Sequence, residues 1–171
     1  MTIAFSAADS DADFADFGQI IAQYMDWMRT RYRDAQWFID QVAAAQSLDA
    51  ELGDLAAKYS PPRGLALIAR VDGSLAGAGA WRHHADGVCE MKRVFVRNAF
   101  KGLGIGRGLC EGLMRSGRDH GYRRMRLDTA GRMTEAQDLY RKLGFRPCPP
   151  YLDYPPQILA ELRFLEARLG E

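Results

Sequence analysis

The sequence is poor in the residues that build disulfide frameworks and metal sites. It has three cysteines and three histidines in 171 residues. The cysteines are Cys89, Cys110 and Cys148, an odd number with no CxxC pair. This pattern argues against a disulfide scaffold and favours a reducing compartment, so we expect a cytoplasmic protein. The histidines form no HExxH pattern, and the sequence therefore predicts no metal site.

Long apolar runs are also absent. No stretch approaches the roughly 18 apolar residues that a membrane-spanning helix needs. The first residues, MTIAFSAADSDADFADF, have no basic group ahead of an apolar segment, so we expect neither a secretory signal nor membrane association. The hydrophobic fraction of 47% and the charged fraction of 26% are those of an ordinary folded protein. The length predicts a single domain over 1–171.

The charge of the chain is balanced overall but unevenly distributed. The formal net charge is +1, yet residues 1–28 contain five Asp and no Lys or Arg. Residues 92–126 contain ten Lys or Arg against two acidic residues. Such a basic segment indicates an anionic partner, either a nucleic acid or a ligand with several phosphates, or else a solvated surface. Because no RRM, zinc-finger or homeodomain pattern is present, we do not expect a nucleic-acid partner.

The hydrophobic periodicity predicts alternating strands and helices, and therefore an α+β fold. Thr134 and Gln137 have the spacing of a capping box, which would begin a helix that ends at Gly144. The segment 158–168 fits a helix and a strand equally well. The predicted strands are 2–7, 64–71, 74–81, 88–96 and 123–129, with a further one from Phe145, and the predicted helices are 13–29, one or two within 35–58, and 105–119.

A glycine-rich loop joins strand 88–96 to helix 105–119. It reads Lys101-Gly102-Leu103-Gly104-Ile105-Gly106 and fits neither the dinucleotide fingerprint nor a Walker A loop. Free backbone N–H groups at the helix start, glycines without Cβ atoms, and the flanking Lys101 and Arg107 together suit a pyrophosphate. The alternative is a turn whose glycines only allow tight packing.

The segment 89–151 resembles the GNAT superfamily of N-acetyltransferases. The family signature R/Q-x-x-G-x-G/A corresponds to Lys101–Gly106, with Lys in place of the usual Arg or Gln. A second signature, A-x-x-LY-x-x-x-GF, matches Ala136, Leu139-Tyr140 and Gly144-Phe145. The resemblance implies a mixed, mostly antiparallel central sheet, with flanking helices and with 88–96 and 123–129 as splayed parallel strands. It also implies acetyl-CoA as the co-substrate and no metal.

The resemblance assigns roles to individual residues. Tyr140 would donate a proton to the departing thiolate, and the backbone N–H of Val96 would polarise the thioester carbonyl. Glu90 would act as the base, because a period of two places it on the same face as Val96. The alternatives are a core aromatic role for Tyr140 and a strand ion pair for Glu90. The residues that would bind CoA are Phe95, Val96, Lys101, Gly102, Leu103, Gly104, Ile105, Gly106, Arg107, Ala136 and Tyr140.

The function that follows is transfer of an acetyl group from acetyl-CoA to a primary amine, directly within a ternary complex. The acceptor would be a small-molecule amine or a peptide, and the N-terminal helices lie where this family varies its acceptor specificity. The alternative is a non-catalytic module that binds CoA or acyl-CoA and has a regulatory role. The segment 158–168 could pair across a two-fold axis, which makes a homodimer possible.

Overall fold

One seven-stranded sheet organises residues 1–170, the part of the chain that the computed structural model describes. The strands are β1 (Ile3–Ala7), β2 (Gly64–Val71), β3 (Ser74–Ala85), β4 (Val88–Val96), β5 (Arg124–Ala130), β6 (Arg146–Pro147) and β7 (Leu162–Arg168). The α-helices within these residues are α1 (Asp11–Arg31), α2 (Gln36–Ala45), α3 (Leu48–Gly53), α4 (Leu55–Lys58), α5 (Ile105–Asp119), α6 (Thr134–Lys142) and α7 (Pro156–Glu161).

The sheet is mixed and mostly antiparallel, as predicted. Its strand order is β1-β2-β3-β4-β5-β7-β6, and β4 and β5 are its parallel pair. These two strands pair only where Val88–Glu90 lies beside Arg124–Arg126. Beyond that point β4 continues to Val96 and β5 to Ala130 without pairing to each other. The gap between the diverging strands, which we call the splay, leaves backbone groups of both strands available to a ligand.

Helices cover both faces of the sheet. On one face α5 buries the predicted stripe of Ile105, Leu109 and Leu113. Gly108 and Gly112 allow this close approach, because a Cβ at these positions would lie 2.4 Å from a Phe5 ring atom and 2.7 Å from a Leu67 methyl. On the other face α1 packs its own apolar stripe against β2 and β3. The core is therefore two apolar layers with the sheet between them.

A β-bulge interrupts β4 in the middle of its pairing with β3. Ala78 lies opposite Phe95 and Ala80 opposite Lys92, so two steps along β3 correspond to three along β4. Arg93, within the extra step, has a φ of +61°. An extra residue reverses the alternation of side chains beyond it. The expectation that Glu90 shares a face with Val96 is therefore wrong, because the bulge lies between them.

Several local predictions need correction. Residues 35–58 form three short helices rather than one or two, and β3 extends to Ala85. The capping box is not formed, since Met133 is the N-cap and makes no side-chain cap bond. Gln137 instead donates to the carbonyls of Ala130 and Gly131. The ambiguous segment 158–168 contains the end of a helix and then a strand, because α7 ends at Glu161 and β7 follows directly.

The C-terminal strand lies inside the sheet and not at its edge. β7 pairs with β5 along its whole length and with the short β6 on its other side. A homodimer through this segment stays a prediction, but the long free edge of the sheet belongs to β1. Among the helices of residues 1–170, none combines the length and the apolar character needed to cross a membrane.

Candidate active site

A cavity of about 560 Å³ occupies the splay. β4 contributes residues 91–96 to its lining and β5 contributes residues 127–130. α1 and α2 close one side with mostly apolar side chains, which we call the helical wall: Tyr24, Met25, Met28, Phe38, Ile39, Val42 and Ala43. The residues predicted to bind CoA that line the cavity are Phe95, Val96, Lys101, Gly102, Gly104, Ile105, Gly106, Arg107, Ala136 and Tyr140, whereas Leu103 and Glu90 are not among its lining.

The glycine loop has the geometry of an anion cradle. Gly102 and Gly104 have φ values of +83° and +78°, which side chains with a Cβ rarely adopt. A Cβ at either position would meet nothing within 4 Å, so the space beside the loop is open. Gly104 is the N-cap of α5 and makes no side-chain cap bond. The first N–H groups of α5 are therefore available to a negatively charged ligand.

A cation–π contact links the loop to α1. Lys101 Nζ lies 4.9 Å from the centroid of the Trp27 ring. Trp27 in turn lies against Phe95, with 6.0 Å between ring centroids. Lys101 is therefore held at the cavity mouth although it lacks the planar guanidinium of the usual arginine. Arg107 makes an exposed ion pair with Glu111 at 3.0 Å, which a phosphate can displace at little cost.

The backbone of β4 presents a hydrogen-bond donor to the splay. Arg97 N–H donates to the carbonyl of Ala76 on β3. Because consecutive N–H groups of an extended chain point to opposite sides, the N–H of Val96 points away from β3 and toward the splay. This geometry agrees with the predicted use of the Val96 N–H toward an acyl or pantetheine oxygen, a role that stays a prediction.

Tyr140 lies on α6 and lines the same cavity. Its ring packs edge-on against Phe145, with 5.8 Å between centroids, so the residue also has a core role. Burial raises the pKa of Tyr140 well above its ordinary value of 10. The phenol is therefore fully protonated at neutral pH. It can donate a proton, but it is a weaker acid than an exposed tyrosine.

Glu90 does not reach the cavity. Its side chain is fully buried, and Oε1 accepts a hydrogen bond of 2.9 Å from Arg82 Nε. Lys92 Nζ lies 3.7 Å from the same oxygen. Burial would raise the pKa of Glu90, but the charges of Lys92 and Arg82 outweigh burial and lower it. The ion-pair alternative thus describes what Glu90 does in the structure, and its role as a base stays a prediction without a direct path to the amine.

Asp128 is a largely buried carboxylate in the cavity lining, and sequence reasoning did not select it. Its side chain is 6% exposed, lines the cavity, and lies 3.6 Å from Lys92 Nζ through Oδ1. The available signal was an acidic residue within the apolar alternation of RMRLDTA. Tyr24 was also missed as a second cavity phenol, and burial raises its pKa to about 12.

A buried ion pair fixes the β4 bulge. Arg93 donates from Nε and Nη2 to the two carboxylate oxygens of Glu51, at 3.1 Å and 2.8 Å. Glu51 also accepts from Lys58 at 2.9 Å and from Tyr59 at 2.5 Å. The carboxylate thereby joins α3 and α4 to the strand that supplies the cavity floor. Sequence reasoning could not find this contact, since it spans 42 residues.

The basic segment 92–126 is only partly available to an anion. Lys92 and Arg93 pair with carboxylates inside the protein. Arg97 is held by Gln23 and Gln19 of α1. The charge surplus read from the sequence therefore overstates the positive charge beside the loop, where Lys101 and Arg107 are the basic residues lining the cavity.

Comparison with known protein families identifies the family to which this chain is related. Residues 21–145 match the model of the acetyltransferase (GNAT) family. The chain belongs to the GNAT acetyltransferase family. The predicted resemblance and fold class are both confirmed.

Individual relatives agree with the family assignment. The chain is 32% identical to an uncharacterized N-acetyltransferase of Schizosaccharomyces pombe over 155 residues, which cover 90% of this chain and 88% of that protein. It is 31% identical over 102 residues to an N-acetylaspartate synthetase of Rattus norvegicus, which cover 58% of this chain but 34% of the synthetase. The PaiA N-acetyltransferase of Thermoplasma acidophilum, solved with coenzyme A, shares the fold at a TM-score of 0.72, with 18% identity and coverage of 98% and 99% of the two chains.

Proposed function

We propose that this GNAT protein transfers the acetyl group of acetyl-CoA to a primary amine within a ternary complex. One observation carries the proposal: the splay places the glycine loop, the Val96 backbone and Tyr140 around a single cavity. A pyrophosphate-binding loop, an oxyanion donor and a proton donor are the parts that direct acyl transfer needs.

Acetyl-CoA fits the cavity by the chemistry of the groups that line it. The open space beside Gly102 and Gly104, the free N–H groups of α5, and the side chains of Lys101 and Arg107 suit the phosphates. The unpaired backbone of β4 in the splay suits the amides of the pantetheine arm. When bound, acetyl-CoA supplies an activated acetyl group as a thioester.

The protein groups then account for the atoms that move. A bond forms between the amine nitrogen and the acetyl carbon, the carbon–sulfur bond breaks, and the sulfur gains a proton. The Val96 N–H stabilises negative charge on the carbonyl oxygen, and the Tyr140 hydroxyl donates to the sulfur. Tyr140 regains its proton from the nitrogen, directly or through water. An acceptor that enters as an ammonium must first lose a further proton to a base.

We assign contact with the amine to Asp128. It faces the cavity, whereas Glu90 is fully buried, outside the cavity lining and bonded to Arg82. A carboxylate attracts an ammonium into the site and accepts its proton before the amine attacks. Glu90 does not contact the amine in this assignment. Its Oε1 lies 3.7 Å from Lys92 Nζ, so it helps to hold the Lys92 side chain.

The thermal midpoint of the protein with acetyl-CoA, CoA and ATP tests the cofactor. A ligand at about 100 times its Kd adds about 2.7 kcal/mol to the free energy of unfolding, which raises the midpoint by several degrees. We expect acetyl-CoA and CoA to raise it and ATP not to. No shift with either CoA species would contradict the proposal.

Thiol release from acetyl-CoA over a panel of primary amines tests the transfer. We expect amine-dependent release of CoA and an acetylated product of the corresponding mass. Binding of CoA without acetylation of any amine would instead favour the non-catalytic CoA-binding module.

A further inference from the structure

Two oppositely charged side chains lie next to each other in the cavity lining. Asp128 and Lys92 both line the cavity, and each side chain is 6% exposed. The distance from Lys92 Nζ to Asp128 Oδ1 is 3.6 Å, and that to Glu90 Oε1 is 3.7 Å, both longer than a hydrogen bond. Lys92 Nζ and the Asp128 carboxylate thus form a loose ion pair that is open to the cavity. Because charged groups in a largely buried place gain from shorter, direct hydrogen bonds, a ligand can supply better partners to both.

Asp128 and Lys92 require different hydrogen-bond partners. Asp128 can only accept hydrogen bonds when ionised, so it suits an ammonium or amine. Lys92 can only donate, so it suits an acceptor such as a carboxylate. Since these groups are neighbours, one ligand that carries an amine beside a carboxylate satisfies both.

The charges around Asp128 suit a single ammonium group. Arg93 is neutralised by Glu51, and Lys92 lies between Glu90 and Asp128, so these side chains leave one negative charge for a ligand. Glu135, the other acidic residue in the lining, has a side chain that is 69% exposed and pairs with Arg31 at 2.6 Å. Asp128 is therefore the carboxylate that lies deep in the described lining, and it offers a place for one ammonium group.

The helical wall sets the character of the rest of the ligand. Its side chains are aliphatic, thioether and aromatic, and they come from α1 and α2. Such a surface gains from burying an apolar group and disfavours a second charge.

We propose that the acceptor is an α-amino acid with an apolar side chain, its amino group received by Asp128 and its carboxylate by Lys92. The inference rests on the proposed function and names the substrate class of that site. The apolar side chain lies against the helical wall.

Three probes that differ only at the carboxylate test the inference on the wild-type protein. L-phenylalanine, its methyl ester and 2-phenylethylamine have the same apolar group and a primary amine, but only the first has a negative carboxylate. With acetyl-CoA, we expect kcat/KM for L-phenylalanine to exceed that for each of the others by about 10- to 100-fold, the size of one charge-assisted hydrogen bond.

A substitution tests whether Lys92 binds the carboxylate of the acceptor. In Lys92→Met we expect the ratio of kcat/KM for L-phenylalanine to kcat/KM for 2-phenylethylamine to fall by about 10- to 100-fold, since only the first probe has a carboxylate for Lys92 to bind. Lys142→Met, on the exposed side of α6, is the matched control and should leave both values unchanged. If Lys92→Met does not fold, the comparison of the three probes on the wild type still decides the substrate class.

The outcomes separate this inference from the proposed function. Equal or better turnover of 2-phenylethylamine or spermidine would overturn the amino-acid assignment and leave the acetyltransferase intact. A preference for L-aspartate over L-phenylalanine would overturn the apolar class. Loss of all three activities in equal proportion in Lys92→Met, with a normal thermal shift by CoA, would show that Lys92 does not read the carboxylate. Acetylation of no amine would overturn the proposed function and this inference together.

Discussion

Replacing Glu51 by Gln should destabilise the protein far more than replacing an exposed carboxylate. Burial would raise the pKa of Glu51, but the hydrogen bonds and charge of Arg93, with hydrogen bonds from Tyr59 and Lys58, lower it from 4.5 to about 2. A pKa lower by about 2.5 corresponds to about 3 kcal/mol of stability at neutral pH. The Glu51→Gln substitution would also leave the buried Arg93 guanidinium without its counter-charge, which acts in the same direction.

The stability difference between the wild type and Glu51→Gln should depend on pH, in a direction set by the lowered pKa of Glu51. A carboxyl whose pKa is depressed in the folded state contributes fully above its unfolded value of 4.5, and the contribution is lost as the pH falls toward 2. At pH 3 about 1.4 kcal/mol remains. The stability gap between the wild type and Glu51→Gln should therefore narrow by about half or more between pH 7 and pH 3.

Urea unfolding at several pH values between 7 and 3 measures the gap, and a thermal midpoint lower by about 6–12 °C at pH 7 should accompany it. Asp40→Asn is the control, because the Arg29–Asp40 pair is exposed and should contribute less than about 1 kcal/mol. A Glu51→Gln protein as stable as the control, or a gap that does not narrow at low pH, would refute the reasoning.

Three further changes test the site and the fold. Tyr140→Phe should lower kcat with little change in the KM for acetyl-CoA, and a wild-type kcat would remove the hydroxyl from the chemistry. Lys101→Ala with Arg107→Ala should weaken CoA binding at least tenfold (~1.4 kcal/mol or more) in a titration, and unchanged affinity would contradict the loop assignment. Gly64→Ala should cost about 1–3 kcal/mol or more in urea unfolding, since its Cβ would lie 2.4 Å from a main-chain carbonyl oxygen. Gly53→Ala, where a Cβ meets nothing within 4 Å, is its control and should change stability by less than about 0.5 kcal/mol.

Local patterns in the sequence determined most of the elements. The apolar stripe of 105–119 and the strands 64–71 and 88–96 appear with the predicted bounds, because their periodicity matches the faces they bury. The Thr134 capping box failed for a physical reason: Gln137 gains two carbonyl partners from the β5–α6 turn, which outweigh a local cap bond. A capping pattern predicts a helix start only when no tertiary partner competes for the side chain.

The two signature motifs led to the family and to the CoA side of the cavity, because a loop and a helix start are local structures whose backbone chemistry follows from their own residues. Which carboxylate lies in the cavity was decided by tertiary structure alone. A single extra residue at Arg93 reversed the alternation of β4 and removed Glu90 from the face of Val96. The splay turned Asp128 into a cavity residue, since the divergence of β4 and β5 depends on pairing between segments more than 30 residues apart. Register and bulges are set by packing across the sheet, so no periodicity within one strand can reveal which acidic side chain meets the acceptor.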